Sequence, residues 1–409
     1  MKAKKHSRLE RLNTTNNQLI IAGYRADQII AIAGSSPCYI YARDEIVERV
    51  TTLRQQLPPA IKLHYAIKAN PMPAVVQCLA GLVDGLDVAS HGELTLALAT
   101  SVRPDNISFA GPGKKSAELM AAVVSGVVIN VESPLELARI NDIASGLNQR
   151  AKVALRVNPD FELKTAGMKM GGGPKQFGID AEQIPAIFAD WPGAVDFVGL
   201  HIFSGSQNLK PEALIEAHDK TFELAARLSA AAPTPPLHIN IGGGLGIPYF
   251  PGEPTLETTQ IMANLQRLLD ELPPAIADSE CVMELGRYLV GEAGYYLCTV
   301  TDIKQSRGQT YVVTDGGLHH HLSNSGNFGQ VLRKNYPVVA CGCVESSAAT
   351  EPVELVGPLC TPLDIVGAKM TLGPLEVGDH VAVLQSGAYG ASASPQGFLG
   401  HPSVVELLL

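Results

Sequence analysis

Several short stretches of this sequence set reactive side chains inside or just after apolar runs. Lys68 stands in YAIKANP, residues 65 to 71, where an unpaired ammonium would cost on the order of several kcal/mol. Either a salt bridge compensates it, or desolvation makes the amine a nucleophile that captures a carbonyl as a Schiff base. The consecutive glycines of INIGGGLG, residues 239 to 246, follow a strand-like run. They let backbone N–H groups converge on an anion such as a phosphate, although a plain tight turn reads the same way. In MELGRYLVGEAG, residues 283 to 294, Glu284 and Arg287 are three apart, as an ordinary surface pair or as a carboxylate and a guanidinium serving one charged ligand. Cys360 in GPLC, taken alone, reads as a buried structural thiol.

The elements that must position these groups are legible as periodicity. Between residue 38 and about residue 270, IKLHYAIKA, LDVAS, ISFAG, VVINV, KVALRVNP, FVGLHIF and HINIGGG read as strands, separated by stretches of helical spacing. Repeated β-α units predict a parallel sheet, and seven or eight of them suit a closed (β/α)8 TIM-like barrel. From about residue 280, TVTDIKQSRG, TYVVTDGG, EPVELVG and DHVAVLQSGAY predict a mostly antiparallel β domain with Gly, Pro and Asp turns.

The 409 residues exceed the usual size of one hydrophobic core, and 46% apolar with 17% charged residues is a globular composition. A net charge of -9 and the lack of a basic stripe interleaved with aromatics after MKAKKHSRLERL argue against a nucleic-acid partner. That basic start reads as a solvated tail. Arg25 and Asp27 interrupt the following apolar run, so no secretory or membrane-spanning segment is expected and a cytoplasmic location is. Seven scattered cysteines do not form a disulfide framework. Neither the isolated Cys341-x-Cys343 pair nor His319 to His321, taken as adjacent residues of a strand, makes a metal site, and no metal is expected.

YAIKANP, LDVASHGEL, SFAGPGKK, INVES, LRVNP, QFGID, GLHIFSGSQ, INIGGGLG, MELGRYLV, GPLCTPLD and SGAYGAS together resemble the pyridoxal-5′-phosphate (PLP)-dependent ornithine/diaminopimelate decarboxylase family, on the alanine racemase-like fold (PLP fold type III, group IV decarboxylases). The resemblance covers nearly the whole chain. It implies a PLP-binding barrel over 36–275, a β domain formed by 276–409 with the N-terminal segment 1–35, and a homodimer with shared active sites. It implies that Lys68 carries PLP as a Schiff base and that Glu284 keeps the pyridine nitrogen protonated. Ser206, Gly243, Gly244, Gly286, Arg287 and Tyr389 match phosphate or cofactor contacts, and Asp87 and Arg156 match positions near Lys68 and the ring. Cys360 matches an acid that the neighbouring subunit supplies to the α-carbon after carbon dioxide leaves. The function implied is α-decarboxylation of an amino acid or amino-acid derivative. Glu284 and Cys360 argue against racemisation, which needs a catalytic tyrosine, and the intact Lys68, glycines and Cys360 argue against a non-catalytic PLP-binding homologue.

Two departures bear on the substrate. Members acting on free diaminopimelate usually carry a second histidine where Phe203 stands; phenylalanine can stack on the ring but cannot donate a hydrogen bond, and His201, two residues earlier, faces the same way. Those members usually read Cys-Glu-Ser where this chain reads Cys360-Thr361-Pro362, so the expected partner for a distal ammonium is missing and Asp364 alone keeps an acidic option. Residues 314 to 337, GMKMGGGPKQFGID and GPLCTPLD resemble an exosortase-associated or carrier-protein glutamyl decarboxylase subgroup. That resemblance implies an amino-acyl substrate on an acyl or peptidyl carrier protein, with Arg333, Tyr336, Thr361 and Asp364 on the substrate side; diaminopimelate decarboxylation is the alternative.

Overall fold

The structure, a computed structural model, describes residues 6–162, 168–169, 171–328, 330, 333–345 and 351–409. The chain divides into two compact units, one of residues 48–247 and 256–289, the other of residues 1–47, 248–255 and 290–409.

In the first unit, parallel strands β1 (Ile61–Ala66), β2 (Gly85–Val88), β3 (Ile107–Phe109), β4 (Val128–Val131), β5 (Ala151–Asn158), β6 (Val195–Ile202), β7 (His238–Asn240) and β8 (Glu280–Leu285) form a ring. Each pairs with the next, β4 pairs with β5, and β8 closes on β1 with Glu284 opposite His64 and Leu285 opposite Tyr65. A short strand, Ile179–Asp180, is appended to the end of β5. Strands covered on both faces are largely apolar, and β2 and β4 are buried at every position. The intervening helices begin on conventional signals: Ser90 and Ser133 accept the amides of Glu93 and Glu136, and Pro73, Pro134 and Pro211 open the first turns of theirs.

The barrel interior carries a polar layer. Ser108 on β3 donates to Asp87 Oδ1 on β2 at 2.5 Å, Asn130 on β4 donates to Ser108 at 3.1 Å, and His64 Nδ1 on β1 lies 3.3 Å from the same Asp87 oxygen. Buried polar groups survive only when paired, so such a layer marks the interior as more than filling.

The second unit is a mixed sheet. Gly294–Ser306 is its long central strand, antiparallel to Gln309–Thr314, His380–Val383 and Cys38–Tyr41. Gln309–Thr314 runs parallel to Val353–Val356, and Cys38–Tyr41 parallel to Val405–Leu408. Leu19, Ile21, Ile29, Ile40, Leu297 and Leu384 share one buried cluster, which places the N-terminal residues in this unit.

Two expectations are corrected. The basic start is not a solvated tail from His6 onward: Ser7–Arg11 is a 3-10 turn, His6 Nε2 contacts Pro248 O at 3.0 Å, and Arg8 bonds Glu45 and Tyr295. Arg8 is compensated by the half-buried Glu45 and the buried Tyr295, partners that sequence spacing could not reveal. His319 to His321 do not lie on a strand. They form a buried turn after Gly316 and Gly317, with the amides of His320 and His321 both donating to Gly317 O.

Candidate active site

Lys68, Phe203, His201 and Glu284 lie together at the C-terminal ends of the barrel strands. Lys68 follows β1 on the 3-10 turn Ile67–Ala69, and its Nζ lies 3.5 Å from Glu284 Oε1 of β8. The ammonium also sits 5.5 Å from the centre of the Phe203 ring. Its side chain is 43% exposed, against 6% for Glu284, so the amine is open to a ligand while the carboxylate is sealed beneath it.

Glu284 is flanked by basic side chains. His201 Nε2 at the end of β6 lies 3.2 Å from Glu284 Oε2, a close polar contact without hydrogen-bond alignment. Burial pushes the Glu284 carboxyl up, but Lys68, His201 and Arg156 outweigh it and hold the group well below the usual carboxylate range. It is an ionised carboxylate in a dry site. Arg156 on β5 is held by Glu132 at 2.7 Å, with the Phe177 ring 4.8 Å from the guanidinium. Asp87 is fixed through Oδ1 by Ser108 and His64, while its buried Oδ2 has no hydrogen-bond partner among the described residues.

After β7 comes the glycine loop. A Cβ on Gly243 would stand 2.0 Å from Glu284 O, one on Gly244 would stand 2.9 Å from Gly205 O, and Gly244 has φ +85°. Both positions require glycine. Gly242 N donates to Asn240 Oδ1, but the amides of Gly243 and Gly244 reach no acceptor among the described residues. Gly286 packs against Ala69, where a Cβ would come within 2.9 Å of its methyl, and Arg287 opens the short helix that follows. Ser206 lies on the two-residue strand Gly205–Ser206.

Cys360, Thr361, Asp364, Arg333, Tyr336 and Tyr389 belong to the second unit. Cys360 is exposed on the loop between Val353–Val356 and Ile365–Met370, and Thr361 is half-buried beside it. Asp364 is buried, with Oδ1 accepting Leu318 N at 2.6 Å and Oδ2 accepting Leu359 N at 2.8 Å. The Arg333 guanidinium donates to Ser325 O, Asn335 Oδ1 and Ile365 O. Tyr336 packs among Tyr249, Phe250 and His321, and Tyr389 has φ +53° with its ring stacked 6.5 Å from Phe328.

Reasoning from sequence missed His64, Ser108 and Glu132, which orient Asp87 and Arg156. The available signal was polar residues inside otherwise apolar strands, as with Lys68. Among the described residues no group of three His, Cys, Asp or Glu side chains is placed to hold a metal ion, and no helix is long and apolar enough to cross a membrane.

The residues fit pyridoxal 5′-phosphate: a reachable lysine for its aldehyde, an ionised buried carboxylate for its ring nitrogen, and a glycine loop whose Gly243 and Gly244 amides meet no acceptor among the described residues for its phosphate. Fold and site together define a barrel-type PLP enzyme. Residues 43–291 match the family model described as pyridoxal-dependent decarboxylase, pyridoxal binding domain. The chain is 37% identical to the L-glutamyl-[BtrI acyl-carrier protein] decarboxylase of Niallia circulans, over 91% of this chain and 88% of that one. It is 30% identical to the diaminopimelate decarboxylase of Aquifex aeolicus, over 97% and 92%. The crystal structure of diaminopimelate decarboxylase from M. jannaschi superposes with a TM-score of 0.85 at 27% identity, covering 98% of this chain and 93% of that one. The chain belongs to the pyridoxal-dependent decarboxylases of the ornithine/diaminopimelate type and is a PLP-dependent carboxy-lyase.

Proposed function

We propose that the enzyme removes the α-carboxylate from an amino acid tethered to an acyl-carrier protein. The observation that carries this reading is the loop after Cys360. Thr361 replaces an acidic side chain there, and both oxygens of Asp364 are already taken by backbone amides, so the loop offers no open carboxylate to the distal ammonium of a free diamino acid. The relative from Niallia circulans, whose substrate is a glutamyl group on a carrier protein, supports the same direction.

When bound, PLP supplies an electron-withdrawing ring that accepts the electron pair left by the departing carboxylate. Lys68 would hold the cofactor covalently through its amine, which is reachable from solvent beside Glu284. Glu284 holds a proton at the ring nitrogen, which its ionised, desolvated carboxylate favours strongly. Gly243 and Gly244 offer their amides to the phosphate, with Ser206, Gly286, Arg287 and Tyr389; Asp87, Arg156, His201 and Phe203 orient the ring. Cys360, from a second copy of the chain, gives its thiol proton to the α-carbon once carbon dioxide has left, and the thiolate regains a proton from water. The reading therefore requires a homodimer with shared sites, and it places the enzyme in the cytoplasm.

The test is carbon dioxide release by the PLP-loaded protein, with meso-diaminopimelate, lysine, ornithine and arginine offered free and glutamate offered both free and as a carrier-protein thioester. Release confined to the thioester is expected. Rapid release from free diaminopimelate would replace this reading by diaminopimelate decarboxylation. Cys360→Ala should spare cofactor binding yet lower turnover or divert the product; unchanged turnover and product would remove Cys360 from its role.

A further inference from the structure

His218 lies on the helix Pro211–Ser229, in the stripe that the helix turns toward the barrel together with Leu214, Ala217, Thr221 and Ala225. The imidazole is 1% exposed, and neither ring nitrogen has a hydrogen-bond partner among the described residues. An apolar side chain would fill such a position without cost, whereas an unpaired polar group sealed from water is unfavourable. Burial pushes its pKa down to about 4, with the neighbouring Asp219 pulling weakly the other way, so at neutral pH the ring is uncharged and carries one N–H donor. Asp219 itself is engaged by Asn264 and Arg267.

The ring lines a narrow cleft with free space of only about 10 Å³, room for about one water, walled also by Ser204, Gly205, Asn208, Leu214 and Gly243. These are the backs of the two loops that hold Ser206, Gly243 and Gly244. The loops are tied into one layer: Asn208 N donates to Gly244 O at 2.9 Å and Gly246 N donates to Asn208 O at 3.0 Å. The imidazole thus faces the layer from behind, through the cleft, with a donor that no group among the described residues accepts.

We propose that His218 is a further residue of the phosphate site, donating its ring N–H through the cleft behind Gly205 and Gly243 to the bound phosphate or to a water held on it. This rests on the reading that places the cofactor phosphate at Gly243 and Gly244. It explains why an unpartnered histidine persists in an apolar stripe: the partner arrives with the ligand, a common pattern where a binding site departs from what stability alone would select.

The experiment compares wild type, His218→Leu and His218→Gln in the cofactor-free protein. The measurements are thermal unfolding, affinity for PLP and for pyridoxal lacking the phosphate, and the 31P resonance of bound PLP. Removing the unpartnered polar atoms should leave the unfolding midpoint of His218→Leu unchanged or raised while weakening PLP about tenfold or more. Pyridoxal affinity should not change, the 31P resonance should move, and His218→Gln, which keeps a donor, should recover part of the PLP affinity. A merely structural histidine would lower the midpoint or prevent folding, and would weaken both ligands alike; either result overturns the proposal, as does unchanged PLP affinity. If wild type itself fails to take up PLP at Lys68, the phosphate reading falls and the proposal with it. If wild type loads normally and only the His218 comparison is flat, the proposal alone falls.

Discussion

Asp364 receives the amide of Leu318 on one carboxylate oxygen and the amide of Leu359 on the other, at 2.6 and 2.8 Å. Gly317 and Gly357 lie so close to it that a Cβ on either would come within 2.4 Å of its oxygens. One buried carboxylate therefore knots two turns, and the second turn is the one that carries Cys360.

Cutting that knot should be visible in stability. Asp364→Ala leaves two buried amides without acceptors and is expected to cost about 1–3 kcal/mol for each, read as a lowered urea midpoint. PLP affinity of the folded variant should change little, because Lys68, Glu284 and the glycine loop lie in the other unit and Asp364 does not bond Tyr389. Loss of cofactor binding without loss of stability would contradict this account.

Glu284→Gln keeps the shape of the side chain and removes its charge beside Lys68 and His201. With no anion to hold a proton at the ring nitrogen, the decarboxylation rate should fall on the order of 10²-fold or more, while the protein still takes up PLP. A rate within a few-fold of wild type would show that the carboxylate is not used in that way.

Gly243→Ala tests the cradle from the steric side. The added methyl would stand 2.0 Å from Glu284 O, a backbone atom that cannot step aside without moving β8. The variant should unfold at a lower midpoint than wild type, and PLP uptake followed by absorbance should be lost or weakened at least about a hundredfold, roughly 3 kcal/mol. Normal uptake would move the phosphate elsewhere.

Acid sensitivity follows from the neutral buried histidines. Burial depresses His218 to about 4 and His321 to about 3, against 6.5 for the free side chain. His321 Nδ1 accepts the amide of Asn324, so protonation would also break a helix cap. Above pH 6.5 neither folded nor unfolded chain is charged at these sites, and they add no pH dependence. As pH falls below that value, the unfolded chain takes up protons that the native one refuses, and stability drops by about 2 kcal/mol per histidine by about pH 5. Urea midpoints measured across that interval should show the decline, and His321→Gln should flatten it.

Much of this architecture is written in local pattern. Strands buried on both faces read as short β-branched runs, and each of the seven runs from IKLHYAIKA to HINIGGG contributes a barrel strand. Lys68 was legible because a charge inside such a run demands an explanation. Its contact with Glu284 was not, since 216 residues separate them and only ring closure brings β8 against β1. Local pattern misled for His319 to His321, whose turn is imposed by Gly316, Gly317 and the distant Asp364 rather than by their own propensity. It misled again at Arg8, whose partners Glu45 and Tyr295 lie far along the chain.

The seam between β8 and β1 also sets an order of events. Lys68 is synthesised early and Glu284 late, and the glycine loop is set against the backbone of Glu284 itself, whose amide donates to Gly242 O and whose carbonyl abuts Gly243. A nascent chain that has made seven strands owns the lysine and the glycines but neither the carboxylate nor the wall that shapes the loop. Vitamin capture therefore belongs to the finished ring, and a yellow colour in the purified protein would report that the last strand has found the first.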